Sequence, residues 1–120
     1  MEKCQRFGWS QQTANRRCTL QEQMKEHVQE VASFAKAMAH PGRFQILLRL
    51  MEGEKNVSDL CRDLSMPQAG CSQQLIRLRL EGLVAARRNG REIYYSISDD
   101  RVRRLIVAIH DILRNEESTQ

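Results

Sequence analysis

The chain has 120 residues, enough for one domain, and a core of that size commonly gains further stability from a partner subunit. Its net charge of +4 favours an acidic partner, and the Lys and Arg residues after position 56 are all arginine, whose planar guanidinium suits phosphates and guanine edges. No segment approaches the roughly 18 apolar residues of a membrane span, and the N-terminus has no apolar signal-peptide core, so we expect a cytoplasmic protein without a membrane partner.

The two ends of the chain are more polar than its centre. Residues 1–25 are rich in Gln and show no sustained apolar period, which predicts a flexible N-terminal arm. The last residues, "NEESTQ", are also polar, and we expect residues 116–120 to form a tail. The sequence therefore predicts one folded domain over residues 26–115.

Two helices are predicted directly after the arm. Val28 and Val31 begin an apolar stripe with helical spacing, which continues to Met38 and stops at "AHPGR". Pro41 suits the first turn of a second helix, and apolar residues cover so much of its circumference that it should be largely buried. Gly53 is the predicted end of this second helix.

Two further helices are predicted on either side of a tight turn. Ser58 is the predicted N-cap of a short helix over residues 59–64, and Pro67 begins a longer helix that runs to Glu81. The short connection "SMP" joins them. Two helices that are connected in this way form a helix-turn-helix.

The last predicted elements are a β-hairpin and a helix. Asn89 and Gly90 form the strongest two-residue hairpin signal, with alternating residues before them and "EIYYSI" after them. The final helix carries a narrow apolar stripe between Val102 and Leu113.

Four helices, a hairpin and a final helix are the elements of a winged helix-turn-helix, a mainly α fold. Its second motif helix enters the major groove of DNA, and the hairpin, or wing, lies along the flanking backbone or in the minor groove. The predicted base contacts are Gln68, Ser72 and Gln73, which lie near the start of that helix and have side chains that hydrogen-bond to base edges. The predicted contacts to the DNA backbone are Arg77, Arg79, Arg87, Arg88, Asn89 and Arg91. The alternative is that all of these are ordinary solvated side chains.

Three stretches, "AMAHPGRFQILLRL", "VSDLCRDLSMPQAGCSQQLIRLRLEGLV" and "RRNGREIYYSISD", resemble the arsenic-repressor (ArsR/SmtB) family of bacterial metal and stress sensors. They cover roughly residues 35–99 and are most similar to the branch that includes nodulation repressors and reactive-sulfur-sensing repressors. The resemblance implies a homodimer, held by the first and last helices, which represses a promoter with an inverted repeat until an inducer lowers its DNA affinity.

The apolar stripe of the last helix agrees with the implied dimer. It has too few partners in a chain of this size, and a two-fold contact would bury it. The predicted dimer residues are Val28, Val31, Val102, Leu105, Ile109 and Ile112. The alternative is that the stripe packs on its own subunit.

The inducer sites that the resemblance implies lack their usual ligands in this chain. Asn56 and Ser58 stand where the arsenic sensors have two cysteines, and Leu48 stands at one cysteine of the reactive-sulfur sensors. The positions of the zinc ligands are occupied by Asp99, Arg101, Ile112 and Asn115. No zinc site is therefore expected there, and we interpret His110, which is out of register, as a helix residue near the dimer contact.

Four cysteines remain as candidate sensors, and in a reducing compartment they are free thiols, metal ligands or redox centres rather than structural disulfides. Cys61 and Cys71 should face each other within the helix-turn-helix, in reach of a disulfide, although free cysteine also packs as a small apolar residue. Cys4 and Cys18 lie beside basic residues in the arm and are the more exposed pair. Cys4, Cys18 and Cys61 together are a candidate site for arsenite or another soft metal, the alternative being that the arm thiols are adventitious.

Three functional hypotheses follow from these residues. The first is a dimeric repressor of a double-stranded DNA operator, derepressed through cysteine chemistry by an oxidant, reactive sulfur or a soft metal. The second is the same repressor without an inducer site, with the cysteines as core filler. The third is a thiol enzyme or a zinc-bound adaptor, but the cysteines have no adjacent His and carboxylate and form no Cys-x-x-Cys, so we expect no enzymatic activity.

Overall fold

The computed structural model describes residues 11–119, with side chains described for residues 19–115. The elements in chain order are α1 (Gln11–Glu26), α2 (Val28–Met38), α3 (Pro41–Leu50), β1 (Lys55–Asn56), α4 (Val57–Asp63), α5 (Gln68–Leu80), β2 (Val84–Asn89), β3 (Glu92–Ile97) and α6 (Asp100–Thr119). Among residues 11–119, no helix combines the length and the apolar character that crossing a membrane requires.

The described chain divides into two compact units between Ala35 and Lys36. In the first unit, α1 extends into the segment that the sequence predicts as a flexible arm. No Gly or Pro interrupts residues 11–38, and Gln, Arg, Glu and Lys are good helix formers, whereas α1 has no apolar stripe that would reveal it by periodicity. The mobility of the arm stays a prediction, and its first ten residues, with Cys4, lie outside the described residues.

The core of the second unit lies where α3, α4, α5 and α6 meet the sheet. Its fully buried side chains are Ile46, Leu47, Leu50, Leu60, Cys71, Leu75, Leu78, Leu83 and Val102. α3 begins at Pro41 as predicted, and the Nδ1 atom of His40 accepts hydrogen bonds from the backbone N–H groups of Gly42 and Arg43 at 3.1 and 3.4 Å. α3 ends at Leu50, before the predicted stop at Gly53.

The wing belongs to a three-stranded antiparallel sheet with the strand order β1-β3-β2. β1 is only two residues long, too short to produce an alternating pattern, and the sequence did not predict it. Asn89 pairs with Glu92, so the hairpin loop consists of Gly90 and Arg91 rather than the predicted Asn89 and Gly90. Gly90 has a φ of 67°, and a two-residue hairpin loop of the II′ type needs Gly at this first position.

α6 is longer than the sequence predicts. It runs from Asp100 to Thr119 and so includes most of the predicted tail, because no Gly or Pro stops the helix. Val102 and Ile106 point into the core, whereas Val107, Ile112 and Leu113 are exposed. α6 therefore packs on its own unit with one face and leaves a second apolar face uncovered.

Candidate nucleic-acid interface

The helix-turn-helix is formed by α4 and α5, and side-chain and backbone caps fix its turn. Asn56, not the predicted Ser58, is the N-cap of α4, since its Oδ1 atom accepts from the N–H groups of Ser58 and Asp59 at 2.8 and 3.4 Å. At the other end, Ser65 N–H donates to Arg62 O and Met66 N–H donates to Cys61 O. These two bonds form a Schellman motif, with Ser65 at a φ of 53° where Gly is usual.

α5 separates a buried face from an exposed one. Cys71, Leu75 and Leu78 are fully buried and lie at the i, i+4 and i+7 positions of one face. The predicted DNA contacts Gln68, Gln73, Arg77 and Arg79 are exposed, and Ser72 is half-buried. The core thus fixes the rotation of α5 about its axis and directs the predicted base contacts outward.

A second anchor of α5, which the sequence analysis missed, is the guanidinium of Arg43. Its Nη1 donates to Gln74 Oε1 at 3.0 Å, and its Nε donates to Ala37 O at 2.7 Å. One side chain of α3 therefore links the last turn of α2 to α5. No sequence signal identifies this pair, because its members are 31 residues apart.

Cys61 and Cys71 lie face to face where α4 and α5 pack together, as the sequence predicts. Both are buried free thiols, and their side chains share a hydrogen bond. Burial is the main cause that raises the pKa of Cys71 to about 12. The hydrogen bond with Cys61 and the electrostatic effect of the neighbouring Cys61 thiol raise this pKa as well. At neutral pH, Cys71 is accordingly a protonated thiol and a weak nucleophile.

The predicted arginines of the wing differ in their surroundings. Arg87 donates to both carboxylate oxygens of Glu54, at 3.1 and 2.7 Å, and its guanidinium lies 4.9 Å from the centre of the Tyr94 ring. The Arg87 side chain, by its hydrogen bonds, lowers the pKa of Glu54. The side chains of Arg88 and Arg91 are exposed, and neither side chain has a hydrogen bond or an ion pair with another described residue. They are therefore available to an anionic partner, whereas Arg87 is already paired.

A groove of about 240 Å³ separates α5 from the wing. Gln68, Ser72 and Ile76 line it on the side of α5, and Arg91 and Ile93 line it on the side of the wing. Two of the predicted base contacts, Gln68 and Ser72, and one predicted phosphate contact, Arg91, thus border the same cleft.

The predicted dimer residues are only partly exposed. Val28, Val31 and Ile112 are exposed, and Leu105 and Ile109 are half-buried. Val102 is fully buried within its own subunit, so it belongs to the core and offers no surface to a partner. Val107 and Leu113 of α6 border a groove against α3 that also contains Phe44, Leu48 and Met51.

The candidate metal site lies only partly within the described residues. Within the part of the chain with described side chains, no group of three or more His, Cys, Asp or Glu residues is arranged to hold a metal ion. Cys4 lies outside the described residues and the side chain of Cys18 is not described, so their site with Cys61 stays a prediction. Asp99, at one of the zinc-ligand positions named above, is paired with Arg101. The Arg101 Nη2 atom lies 2.7 Å from Asp99 Oδ2, and the hydrogen bond to Arg101 lowers the pKa of Asp99.

Comparison with known proteins identifies the family. Residues 40–86 match the family described as "Bacterial regulatory protein, arsR family". The chain is 34% identical over 96 residues to the "Biofilm growth-associated repressor" of Xylella fastidiosa (strain Temecula1), and this match covers 80% of the chain and 84% of that protein. The chain belongs to the arsR family of bacterial regulatory proteins.

Relatives in the arsR family include an activator as well as repressors. The "Transcriptional activator HlyU" of Vibrio cholerae is 36% identical over 89 residues, which are 74% of this chain and 82% of that protein. The solved "homodimeric winged helix-turn-helix DNA-binding domain" Mb0332 of Mycobacterium bovis matches with a TM-score of 0.72 and 31% identity, over 80% of this chain and 89% of that one. The predicted winged helix-turn-helix fold and the resemblance to the family are confirmed, and the chain is a DNA-binding transcriptional regulator rather than an enzyme.

Proposed function

We propose that this protein is a homodimeric transcriptional repressor that acts in the cytoplasm on a double-stranded operator with an inverted repeat. α5 of each subunit lies in the major groove, where Gln68, Ser72 and Gln73 contact base edges. The wing lies along the flanking backbone, where Arg88 and Arg91 contact phosphates. Arg77, Arg79 and Asn89 are further backbone contacts, whereas Arg87 reaches DNA only by leaving Glu54.

The observation that carries this proposal is the division of α5 into two faces. Its inner face is fixed by buried Cys71, Leu75 and Leu78, and Arg43 holds Gln74 at its side. On its outer side, Gln73, Arg77 and Arg79 are exposed, and Gln68 and Ser72 border the same groove as Arg91. A rigidly held helix whose exposed side chains include Gln68, Gln73, Arg77 and Arg79 suits base readout, because hydrogen bonds to base edges require fixed side-chain positions.

The exposed apolar face of α6 supports the dimer. Val107, Ile112 and Leu113 are each about half exposed, and Val107 and Leu113 line a groove that is almost wholly apolar. Burial of such a face in a two-fold contact removes apolar surface from water. In the dimer, the two α5 helices would read half-sites separated by about 34 Å, one turn of DNA.

The salt dependence of DNA binding tests the proposed docking of the wing. The affinity for the gene's upstream region is measured at several salt concentrations. The slope of log affinity against log salt concentration becomes shallower by about 0.9 for each phosphate that a variant no longer neutralises. We expect the exchanges Arg88→Gln and Arg91→Gln to reduce this slope, and the same exchange at exposed Arg114 in α6 to leave it unchanged. Equal slopes for the wing variants and the Arg114→Gln control would contradict the proposed docking.

Two hypotheses are open for the role of the cysteines: a thiol switch that responds to an inducer, and a repressor without an inducer site. The shared hydrogen bond of Cys61 and Cys71 favours a thiol switch, since a disulfide or a bound soft metal would alter the packing of α4 on α5. The burial of both side chains and the raised pKa of Cys71 favour the second candidate, a repressor in which the pair only fills the core. We favour the second candidate, because a protonated buried thiol reacts slowly with oxidants.

The double exchange Cys61→Ala and Cys71→Val distinguishes these candidates. Operator affinity is measured before and after treatment with an oxidant, a persulfide and arsenite. We expect the wild type and the double variant to respond alike. A response that the double variant lacks would establish the thiol switch, whereas a response abolished only by exchange of Cys4 and Cys18 would support the predicted site in the arm.

A further inference from the structure

The outermost stripe of α5 is mainly apolar. Ala69, Gln73, Ile76 and Leu80 follow one another at spacings of four, three and four residues and therefore lie on one face of the helix. Ile76 is 52% exposed and Leu80 is 77% exposed, and Ala69 is exposed as well. The core contacts of α5 come from the opposite face, so the folding of the subunit does not explain these apolar residues.

Ile76 borders the groove between α5 and the wing, whose lining is mixed. Apolar Ile93 lies there beside the polar and charged side chains of Gln68, Ser72, Arg91 and Glu92. A partner that covers Ile76 and also contacts Gln68, Ser72 and Arg91 presents an apolar group beside hydrogen-bonding and anionic groups. The major groove of DNA has this character, because the C5-methyl group of thymine is the apolar group that bases expose there among hydrogen-bonding atoms and near phosphates.

We propose that Ile76 is a specificity-determining residue that packs against the C5-methyl group of a thymine in each operator half-site. Ala69, two helical turns earlier on the same stripe, makes a smaller contact of the same kind with a second thymine. This inference rests on the proposed function, since it requires α5 to lie in the major groove. It adds apolar readout by Ile76 and Ala69 to the hydrogen bonds of Gln68, Ser72 and Gln73.

Leu80 provides a matched control. It lies one turn beyond Ile76 on the same stripe and is more exposed, but it does not border the groove that Ile76 shares with Gln68 and Ser72. Leu80→Ala and Ile76→Ala remove apolar atoms of similar number from one face of one helix. Because both side chains are largely exposed, neither exchange opens a cavity in the core.

The test uses duplexes that differ from the operator only in methyl groups. The half-site is first obtained by selecting tightly bound duplexes from a random library with the full-length protein. Each thymine of the selected duplex is then replaced by deoxyuridine, which removes the methyl group and keeps the hydrogen-bonding pattern. Affinity is measured by fluorescence anisotropy for the wild type, Ile76→Ala, Ala69→Gly and Leu80→Ala.

We expect one thymine in each half-site at which deoxyuridine weakens wild-type binding about fourfold, or about 15-fold when both half-sites are changed. Ile76→Ala should bind the thymine and deoxyuridine duplexes equally at this position, whereas Leu80→Ala should keep the full difference. The proposal is overturned if no deoxyuridine effect depends on Ile76, or if Leu80→Ala abolishes the effect equally well. Selection of no preferred sequence would instead overturn the proposed function, and this inference with it.

Discussion

The helix-turn-helix and the wing form the two sides of the candidate DNA interface, and they hold their side chains in different ways. α5 is anchored through buried residues, with Leu75 and Leu78 fully enclosed. The wing has few buried residues, of which Val84 and Tyr95 are the main ones, and its arginines are exposed. The position of α5 is thus set by the core, whereas that of the wing depends on strand pairing, the buried Val84 and Tyr95, and the surface ion pair of Glu54 with Arg87.

In the proposed complex, the two parts would control different properties of DNA binding. A change beneath α5 moves all of its outer residues together, because they share one rigid helix. A change at Arg88 or Arg91 acts on a single side chain, because neither side chain has a hydrogen-bond or ion-pair partner among the described residues. We therefore expect core changes to alter stability and sequence discrimination, and wing changes to alter the strength and salt dependence of binding.

The largest effect is expected for Leu75→Ala. Leu75 is fully buried beneath α5, and truncation of such a leucine lowers the free energy of unfolding by about 2–5 kcal/mol. Ile93→Ala in the wing is the matched control, because Ile93 is 37% exposed and should cost less. Urea denaturation measures both losses, and equal losses would remove the distinction between the two parts.

The second effect concerns alkaline pH, where the buried thiol should destabilise the fold. The folded pKa of Cys71 is raised from 9.0 to about 12, so the unfolded chain releases this proton first as the pH rises. The stability associated with the protonated thiol is complete below pH 9 and decreases as the pH approaches 12, by up to about 1.4 kcal/mol per pH unit.

Urea denaturation of the wild type and Cys71→Ala between pH 7 and pH 12 measures this slope, and the variant should lose less stability at high pH. The matched group of the wing is Tyr94, whose pKa is raised chiefly by a hydrogen bond to Glu92. Since Tyr94 is more accessible than Cys71, Tyr94→Phe should change the slope less. An identical pH dependence in the wild type and Cys71→Ala would show that the thiol pair is not effectively buried.

The same contrast explains how much of the molecule could be predicted from its sequence. The order of the helices, the helix-turn-helix and the hairpin follow from apolar periodicity and turn residues, which repeat over many positions. Periodicity does not locate short or polar elements. α1 lacks an apolar stripe, β1 has two residues, and Asn56 and Ser58 are both good N-cap residues two positions apart.

Within the candidate site, exposure was easier to predict than pairing. The outward positions of Gln68, Gln73 and the arginines follow from helical and strand spacing. The ion pair of Glu54 with Arg87 and the hydrogen bond of Arg43 with Gln74 join residues 33 and 31 positions apart, and no local pattern identifies such partners. The apolar stripe with Ile76 was visible in the sequence, but its exposure depends on which face of α5 the core covers.

The smallest effect is expected for Glu54→Gln, at the ion pair that holds Arg87 in the wing. The exchange removes a negative charge beside the proposed path of the DNA backbone and releases the Arg87 guanidinium from its bidentate contact. We expect DNA of any sequence to bind somewhat more tightly, with a salt slope that increases by at most about 0.9 per subunit. Glu52→Gln is the matched control, because Glu52 is a nearby exposed acid that pairs with Arg49 and Lys55 and does not contact Arg87. An equal gain in affinity for Glu54→Gln and Glu52→Gln would mean that net charge alone matters, and that Glu54 does not restrain Arg87.

The pair of Glu54 and Arg87 also links the stability of the fold to pH. The pKa of Glu54 is lowered in the folded state, so the stability that this pair contributes is present above the unfolded pKa of Glu54. This contribution is lost as the pH falls through the folded pKa.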